Sequence, residues 1–147
     1  QIGSFLKKED ITFSFLFNGE KLILNLENEI TVVNEIGHLN YLYSISDLAF
    51  IGGTLIEHGG QNFLEPLKHG IPLSAGSSVY NFQEIADQLS ELKLLKYGNS
   101  AEEIASIWHK ELASKDHHPI KERSFNYIAS QKGSLERSVG KIKEFIL

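Results

Sequence analysis

The chain contains no cysteine and no methionine among its 147 residues. Without cysteine it forms no disulfide, holds no metal through thiolates and offers no thiol nucleophile, which is compatible with a cytosolic setting. Methionine is missing even at position 1, and the chain starts inside an amphipathic pattern. Both features predict that the sequence is a segment of a longer protein.

Basic clusters and long apolar runs are also missing. There are 14 Lys and Arg against 19 Asp and Glu, for a net charge of −5, so the electrostatic footprint of a nucleic-acid binder is absent and nucleic acid is not expected as a partner. No apolar run approaches the roughly 20 residues that span a bilayer. We therefore expect a soluble segment, and its length and ordinary composition predict one domain over residues 1–147.

Short strands alternate with helical patterns along the first two thirds of the chain. Apolar segments at 30–33, 47–51 and 71–74 are each followed by a glycine-containing loop and then by helical spacing. This order predicts an α/β fold with a parallel sheet and right-handed crossovers. Further elements are predicted as strands at 12–17, 21–26 and 92–97 and as amphipathic helices at 101–113 and 120–147.

The most informative stretch follows the predicted strand 47–51. Two glycine pairs, Gly52-Gly53 and Gly59-Gly60, precede Asn62. Ligands of open α/β sheets lie at the carboxyl ends of strands, where glycines let a ligand approach the backbone and a helix start offers N–H groups to anions. Asn62 and Glu65 are three residues apart and share a helix face. An amide and a carboxylate so placed could hold sugar or ribose hydroxyls beside a phosphate.

A second interpretation of the same residues is structural. The glycine pairs could form a tight turn, and Asn62 could cap a helix with Glu65 bonded back to it. Because Pro66 disfavours the α conformation at the residue before it, the helix is expected to begin at Pro66 or later, with Glu65 at its mouth. From the residues alone, both interpretations remain open.

Several motifs, taken in order, resemble one family. They are Gly37-His38-Leu39, the run from Ser46 to Thr54, the run from Gly59 to Pro66, and Asn81-Phe82. Together they resemble the C-terminal half of 3-deoxy-D-manno-octulosonic acid (Kdo) transferases, which are GT-B glycosyltransferases with two facing Rossmann-like domains. The resemblance covers residues 30–89 strongly and the helical tail weakly. It implies a three-layer α/β/α donor domain.

The resemblance also implies a function. Family members bind the donor CMP-Kdo largely on this half and transfer Kdo to a lipid A precursor in lipopolysaccharide biosynthesis, at the cytoplasmic face of the bacterial inner membrane. The N-terminal half supplies the acceptor site and the catalytic carboxylate. We therefore expect no catalytic residue in this segment, no activity of the segment alone, and no cofactor or metal, since CMP-Kdo is a substrate.

The resemblance assigns donor-binding roles only where residues match. The Gly-His-Leu motif resembles the loop that receives cytidine and phosphate, and the amide–carboxylate pair resembles the groups that meet phosphate, sugar or ribose. The second glycine pair would let the donor approach closely, and one further Asn would line the neighbouring loop. These positions are Gly37, His38, Leu39, Gly59, Gly60, Asn62, Glu65 and Asn81.

The chain departs from the family pattern at two places. Gln61 stands where the family usually has His, and Gly76-Ser77-Ser78-Val79-Tyr80 replaces a Gly-Pro-His-Thr-Phe run. Glutamine keeps a hydrogen bond but carries no proton at neutral pH. Alternatives are another GT-B glycosyltransferase or an epimerase with a UDP donor, or a non-catalytic domain of this fold. The sequence also leaves open a homo-oligomer that pairs through an exposed sheet edge.

Other reactive residues favour ordinary roles. The six histidines are scattered apart from adjacent His117 and His118, so a zinc site is not expected. Ser77 and Ser78 lack the sequence of a nucleophile elbow, so a turn or phosphate-facing role is favoured.

Overall fold

The computed structural model describes residues 1–16, 29–114 and 116–131. The described residues fold as parallel strands and helices, so the predicted α/β class is confirmed. Contacts divide the chain into an amino-terminal unit, Gln1–Leu42, and a carboxyl-terminal unit, Tyr43–Leu147. In chain order the elements are α1 Ile2–Lys8, β1 Phe13–Leu16, β2 Ile30–Val33, α2 Leu39–Ser44, β3 Ala49–Phe50, α3 Leu64–Leu67, β4 Leu73–Ala75, a 3-10 helix Tyr80–Phe82, α4 Gln83–Glu91, β5 Leu95–Tyr97, α5 Ala101–Ala113 and α6 His118–Gln131.

The amino-terminal unit contains the parallel pair β1 and β2. Phe13 lies opposite Ile30, and Leu16 lies opposite Val33. The two strands form where short apolar and β-branched runs predict them. The predicted strand at 21–26 lies outside the described residues.

The carboxyl-terminal unit contains a parallel sheet in the order β3-β4-β5. The central strand β4 is buried at all three positions, as expected for a strand covered on both faces. Strand β3 is shorter than predicted, although Ile51 N–H still donates to the carbonyl of Ser74 at 2.8 Å. The ladder ends there because the chain turns away at Gly52.

Apolar side chains from the sheet and its helices form the core of this unit. Packing of these groups supplies most of the unit's stability, since a fully buried Leu or Phe contributes about 1.5–3 kcal/mol. The completely buried members include Phe63 and Leu67 from the α3 region and Leu89 from α4. The full cluster is Ala49, Ile51, Phe63, Leu67, Ile71, Leu73, Ala75, Val79, Ala86, Leu89, Leu94, Leu95 and Tyr127.

Helix α5 begins at a recognisable cap. Ser100 Oγ accepts a hydrogen bond from Glu103 N–H at 3.2 Å, as expected of a helix cap, while Glu103 Oε2 accepts from Asn99 N–H at 2.7 Å. Helix α6 begins at His118, two residues before its predicted start, because Pro119 fits the first turn, where a backbone N–H has no partner within the helix. The predicted continuation over 132–147 lies outside the described residues. No helix in the described part of the chain is both long and apolar enough to cross a bilayer.

Candidate functional site

The segment that joins β3 to α3 is called the glycine loop here and comprises residues 52–60. Gly53, Gly59 and Gly60 have φ angles of +73°, +84° and +82°, a region that side-chain-bearing residues rarely adopt. Gly60 N–H donates to the carbonyl of Gly53 at 3.2 Å. The loop therefore closes on itself at the carboxyl end of β3.

Thr54 connects the glycine loop to the sheet. Its side chain is 1% exposed, and Oγ1 donates to the carbonyl of Ile51 at 2.6 Å while accepting from Gly76 N–H at 2.7 Å. The carbonyl of Thr54 accepts from Ser78 N–H at 3.0 Å. One buried residue thus joins the carboxyl end of β3 to the loop that follows β4.

Ser78 and Asn81 hold the far end of the glycine loop. Gly59 N–H donates to Ser78 Oγ at 3.2 Å, and Asn81 Nδ2 donates to the carbonyl of His58 at 3.2 Å. A Cβ on Gly59 would lie 2.7 Å from the ring of Tyr80. Because Tyr80 and Asn81 occupy the space that a side chain would need, contacts within the protein require glycine at this position. Contact of this glycine with a donor remains a prediction.

Asn62 and Glu65 lie side by side at the start of α3. Asn62 Oδ1 accepts from Leu64 N–H at 2.9 Å, and Asn62 Nδ2 donates to Glu65 Oε1 at 3.2 Å. The helix begins at Leu64, so the expected start at Pro66 or later is wrong. The reason is that the Asn62 side chain supplies an acceptor for a backbone N–H of the first turn. Pro66 is tolerated there because the N–H group that proline lacks would have no partner within the first turn. Both members of the pair are exposed to solvent.

The charge of Glu65 affects a neighbouring phenol. Partial burial raises the pKa of Tyr43, and the negative charge of Glu65 raises this pKa further. The Tyr43 ring also lies 6.4 Å from that of His69, between centroids. Glu65 therefore lies near enough to Tyr43 for its charge to act on the phenol.

The loop after β2 is called the Gly37 loop here and comprises residues 34–38. Gly37 has a φ of +105° and is exposed, and a Cβ placed on it would meet nothing within 4 Å. His38 Nε2 lies 2.6 Å from Glu35 Oε2, and the carbonyl of His38 accepts from Leu42 N–H in the first turn of α2. Leu39 is 47% exposed. The loop borders an open cavity of about 560 Å³, lined by Val33, Asn34, Glu35 and Ile36.

Sequence reasoning assigned no role to Thr54 or Glu35. A threonine directly after a glycine pair at a strand end is the only local signal for Thr54, and its partners come from a distant part of the chain. For Glu35 the signal is His38 three residues later, within reach of an ion pair. Among the residues that the structure describes, no three His, Asp or Glu side chains converge as metal ligands.

Curated relatives carry one recurring name. A 3-deoxy-D-manno-octulosonic acid transferase from Haemophilus influenzae is 29% identical over 147 residues, which are 99% of this chain and 34% of the relative. A protein of the same name from Chlamydophila psittaci is 37% identical over 90 residues, 60% of this chain and 20% of the relative. A bifunctional glycosyltransferase/methyltransferase from Fusobacterium nucleatum is 34% identical over 94 residues, covering 64% and 15%. No family model matches the chain.

A solved structure with the same fold is the C-terminal CMP-Kdo binding domain of WaaA from Acinetobacter baumannii. The TM-score is 0.77 at 22% identity, over 86% of this chain and 66% of that one. The fold match and the relatives confirm the resemblance to the C-terminal part of Kdo transferases. The chain spans about a third or less of the length of these curated relatives.

Proposed function

We propose that this chain is the donor-binding domain of a Kdo transferase and that it binds the nucleotide sugar CMP-Kdo. The relatives named as Kdo transferases and the fold shared with a CMP-Kdo binding domain support this proposal. The parent protein is proposed to be a glycosyltransferase, and the segment alone is expected to be inactive. The whole segment is proposed to act as one donor domain of that enzyme.

The observation that carries the proposal is the exposed Asn62–Glu65 pair. It follows directly after the glycine loop, which hydrogen bonds from Thr54, Ser78 and Asn81 attach to the ends of β3 and β4. Binding groups held by a rigid scaffold lose little conformational entropy when a ligand binds. An amide and a carboxylate presented in this way suit a ligand that carries both hydroxyls and an anionic group.

The two side chains are assigned different parts of the donor. A carboxylate repels phosphate and accepts hydrogen bonds from hydroxyls, so Glu65 is assigned to the ribose or sugar hydroxyls. The amide N–H of Asn62 can donate to a phosphate or sugar oxygen. During transfer the bond between Kdo and the phosphate of CMP breaks, and oriented donors near that phosphate stabilise the charge of the departing nucleotide.

The remaining proposed positions divide between support and contact. Gly59, Gly60 and Asn81 shape the glycine loop, while Gly37 and His38 lie in the Gly37 loop and Leu39 begins α2. The acceptor, proposed as a lipid A precursor at the cytoplasmic face of the inner membrane, would bind to the rest of the parent enzyme. Pairing of two chains through a sheet edge is a further proposal, and the size of the chain in solution tests it.

Calorimetric titration with CMP, UMP and AMP tests the proposed function. We expect the chain to prefer CMP, and we expect Asn62→Ala or Glu65→Ala to lower CMP affinity about tenfold, the effect of one lost hydrogen bond to a charged group. Glu91→Ala is the matched control, because it removes an exposed carboxylate at the end of α4 and should leave affinity unchanged.

Three results would contradict the proposal. Equal affinity for all three nucleotides would indicate a general phosphate site, and a preference for UMP would favour a UDP-sugar enzyme. A failure to bind any nucleotide, repeated in the full-length parent, would favour a non-catalytic domain of this fold.

A further inference from the structure

A second cavity lies between the end of α4 and helix α6, within the carboxyl-terminal unit. It has a volume of about 320 Å³ and is lined by Leu92, Arg123, Asn126, Tyr127 and Ser130. Leu92 precedes β5, whereas the Asn62–Glu65 pair follows β3, and these strands belong to one parallel sheet. The cavity therefore lies toward the amino-terminal end of the sheet, opposite to the end that carries the glycine loop.

Arg123 brings an uncompensated positive charge to this cavity. The residue is half-buried, and its Nε atom is buried without a hydrogen-bond partner among the residues that the structure describes. No carboxylate in the same part of the chain forms an ion pair with it. Removing a charged group from water costs free energy unless an opposite charge or hydrogen bonds compensate it. An anion in the cavity that Arg123 lines would supply this compensation.

The polar side chains of the cavity limit what this anion can be. Asn126 is exposed and lies three residues after Arg123, so the two share a face of α6 and the amide N–H can donate beside the guanidinium. The hydroxyl of Tyr127 already donates to Gln88 Oε1 at 2.8 Å, and that of Ser130 donates to the carbonyl of Tyr127 at 2.7 Å. Donors to an anion therefore come from two side chains. This suits a carboxylate, whose two oxygens match the fork of a guanidinium.

Leu92 supplies an apolar wall to the same cavity. Its side chain is 39% exposed, and the backbone N–H groups of residues 92–94 donate to the last carbonyls of α4, which holds this segment against the helix. Ligand pockets combine apolar walls with a few placed polar groups. An apolar wall beside one cation favours an acid whose carboxylate is attached to an apolar group.

We propose that this cavity is a second binding site, which takes a small organic acid. The carboxylate of the acid pairs with the guanidinium of Arg123 and accepts from the amide N–H of Asn126, while Leu92 contacts the apolar group. The site goes beyond the proposed function, because it uses none of the residues assigned to the nucleotide sugar. An acid bound here and a nucleotide bound beside Asn62 and Glu65 do not compete.

Titration of the chain with benzoate, followed by NMR, tests the site. The sequence contains two arginines, Arg123 and Arg137, so the Nε–H signal of Arg123 is assigned by its loss in Arg123→Gln. We expect this signal to shift and saturate as benzoate is added. The backbone amide signals of residues 92–94 report the affinity in every variant, and Arg123→Gln should lower it about tenfold or more, the effect of a lost hydrogen bond between charged groups.

Two further variants separate the contact from folding and from general charge. Asn126→Ala changes an exposed side chain and should lower benzoate affinity about fivefold, so the test stands even if Arg123→Gln does not fold. Lys121→Gln is the matched control, because Lys121 is an exposed cation of the same helix and is not among the residues that line the cavity. It should leave the affinity unchanged.

Four outcomes would overturn the inference. If benzoate leaves these signals unchanged, the site is absent. If uncharged benzyl alcohol binds as tightly as benzoate, apolar contact alone explains binding and the role of Arg123 is wrong. If acetate or inorganic phosphate binds as tightly, the cavity is a general anion site and the assignment to an organic acid is wrong. If saturating CMP displaces benzoate, the two ligands share one site. The proposed function is judged by CMP binding, which none of the first three outcomes affects.

Discussion

Two loops follow parallel strands in this molecule, and they use their polar groups differently. In the glycine loop, the N–H groups of Gly59 and Gly60 bond to other protein groups, and Gly59 is covered by Asn81 and Tyr80. In the Gly37 loop, the glycine is exposed, and one carboxylate oxygen of Glu35 is buried with no hydrogen-bond partner among the residues that the structure describes. The N–H groups of the first loop are bonded within the protein, whereas the second loop leaves its glycine exposed to solvent.

The difference predicts where substitutions act. A group whose partners all belong to the protein contributes to folding, so changing it lowers stability. An exposed group with open space around it contributes little to folding, so changing it should lower stability less. The following predictions test whether the glycine loop behaves as scaffold and the Gly37 loop as an open site.

The largest loss of stability is expected at Thr54. Thr54→Val keeps the shape but leaves Gly76 N–H without its buried acceptor and Ile51 carbonyl without one of its donors, so the free energy of unfolding should fall by about 2–4 kcal/mol. Urea denaturation measures the change. Thr54→Ser keeps the hydroxyl and should lose clearly less. Equal stability of Thr54→Val and the wild type would show that the link between β3 and β4 is not important.

Alanine substitutions at Gly59 and Gly37, two glycines with positive φ, separate the cost of backbone strain from the cost of steric crowding. Gly59→Ala combines a left-handed backbone with contact against Tyr80 and should cost about 2 kcal/mol of unfolding free energy. Gly37→Ala has the same kind of backbone but open space and should cost about 1 kcal/mol. Thermal or urea melts measure both.

Gly52→Ala is the control for this pair. Gly52 is not among the glycines with positive φ, and an added Cβ would meet nothing within 4 Å, so its effect should stay within about 0.5 kcal/mol. If Gly37→Ala proved as costly as Gly59→Ala, the contrast between an open and a packed loop would be wrong.

Ser78 offers a finer test beside a matched neighbour. Ser78→Ala removes the acceptor of Gly59 N–H and should lower the free energy of unfolding by about 1 kcal/mol. Ser77 is adjacent and exposed, and Ser77→Ala should change stability by less than about 0.5 kcal/mol. Urea midpoints of the two variants give the comparison directly, and equal effects would argue against the loop contact.

The smallest effect concerns Tyr43 and alkaline pH. Its pKa is raised above the ordinary value of 10.0 by burial and then by Glu65. A raised pKa means that the folded state holds the proton more tightly, so this stabilisation is complete below pH 10 and is lost as the pH rises through the folded-state pKa. The melting temperature of Tyr43→Phe should therefore fall less than that of the wild type as the pH rises from about 9 to 11.

Glu65→Gln checks the cause of that shift. Removing the charge should bring the pKa of Tyr43 closer to its ordinary value and reduce the alkaline loss of melting temperature. If neither Tyr43→Phe nor Glu65→Gln altered the alkaline slope, the phenol and the carboxylate would not be coupled in solution.

Local patterns were sufficient to predict much of the fold. The β-branched run at Ile30–Val33, the alternation of strands with helices, and the cap at Ser100 were all predicted from neighbouring residues and are confirmed. Asn62 and Glu65 meet as the capping interpretation predicted, through a hydrogen bond at the helix start, because Asn62 precedes α3. These features depend on backbone geometry over a few residues, which the order of side chains controls.

Other features could not be read from neighbouring residues. The start of α3 was predicted too late because the acceptor from Asn62 outweighs the local preference of the residue before Pro66. Glycine pairs in sequence look the same whether a ligand or a protein side chain fills the space beside them. Only the approach of Tyr80 and Asn81 distinguishes the two cases at Gly59.

The amino-acid sequence by itself determined the strand and helix order, the exclusion of thiol chemistry and the resemblance to Kdo transferases, because these depend on composition and on short-range patterns. Tertiary structure alone decided that Thr54 joins β3 to the loop after β4 and that a Glu35 oxygen is buried without a partner within the described part of the chain. Hydrogen bonds between segments about 20 residues apart, such as Thr54 with Gly76, and the burial of a single atom arise only when the chain has folded.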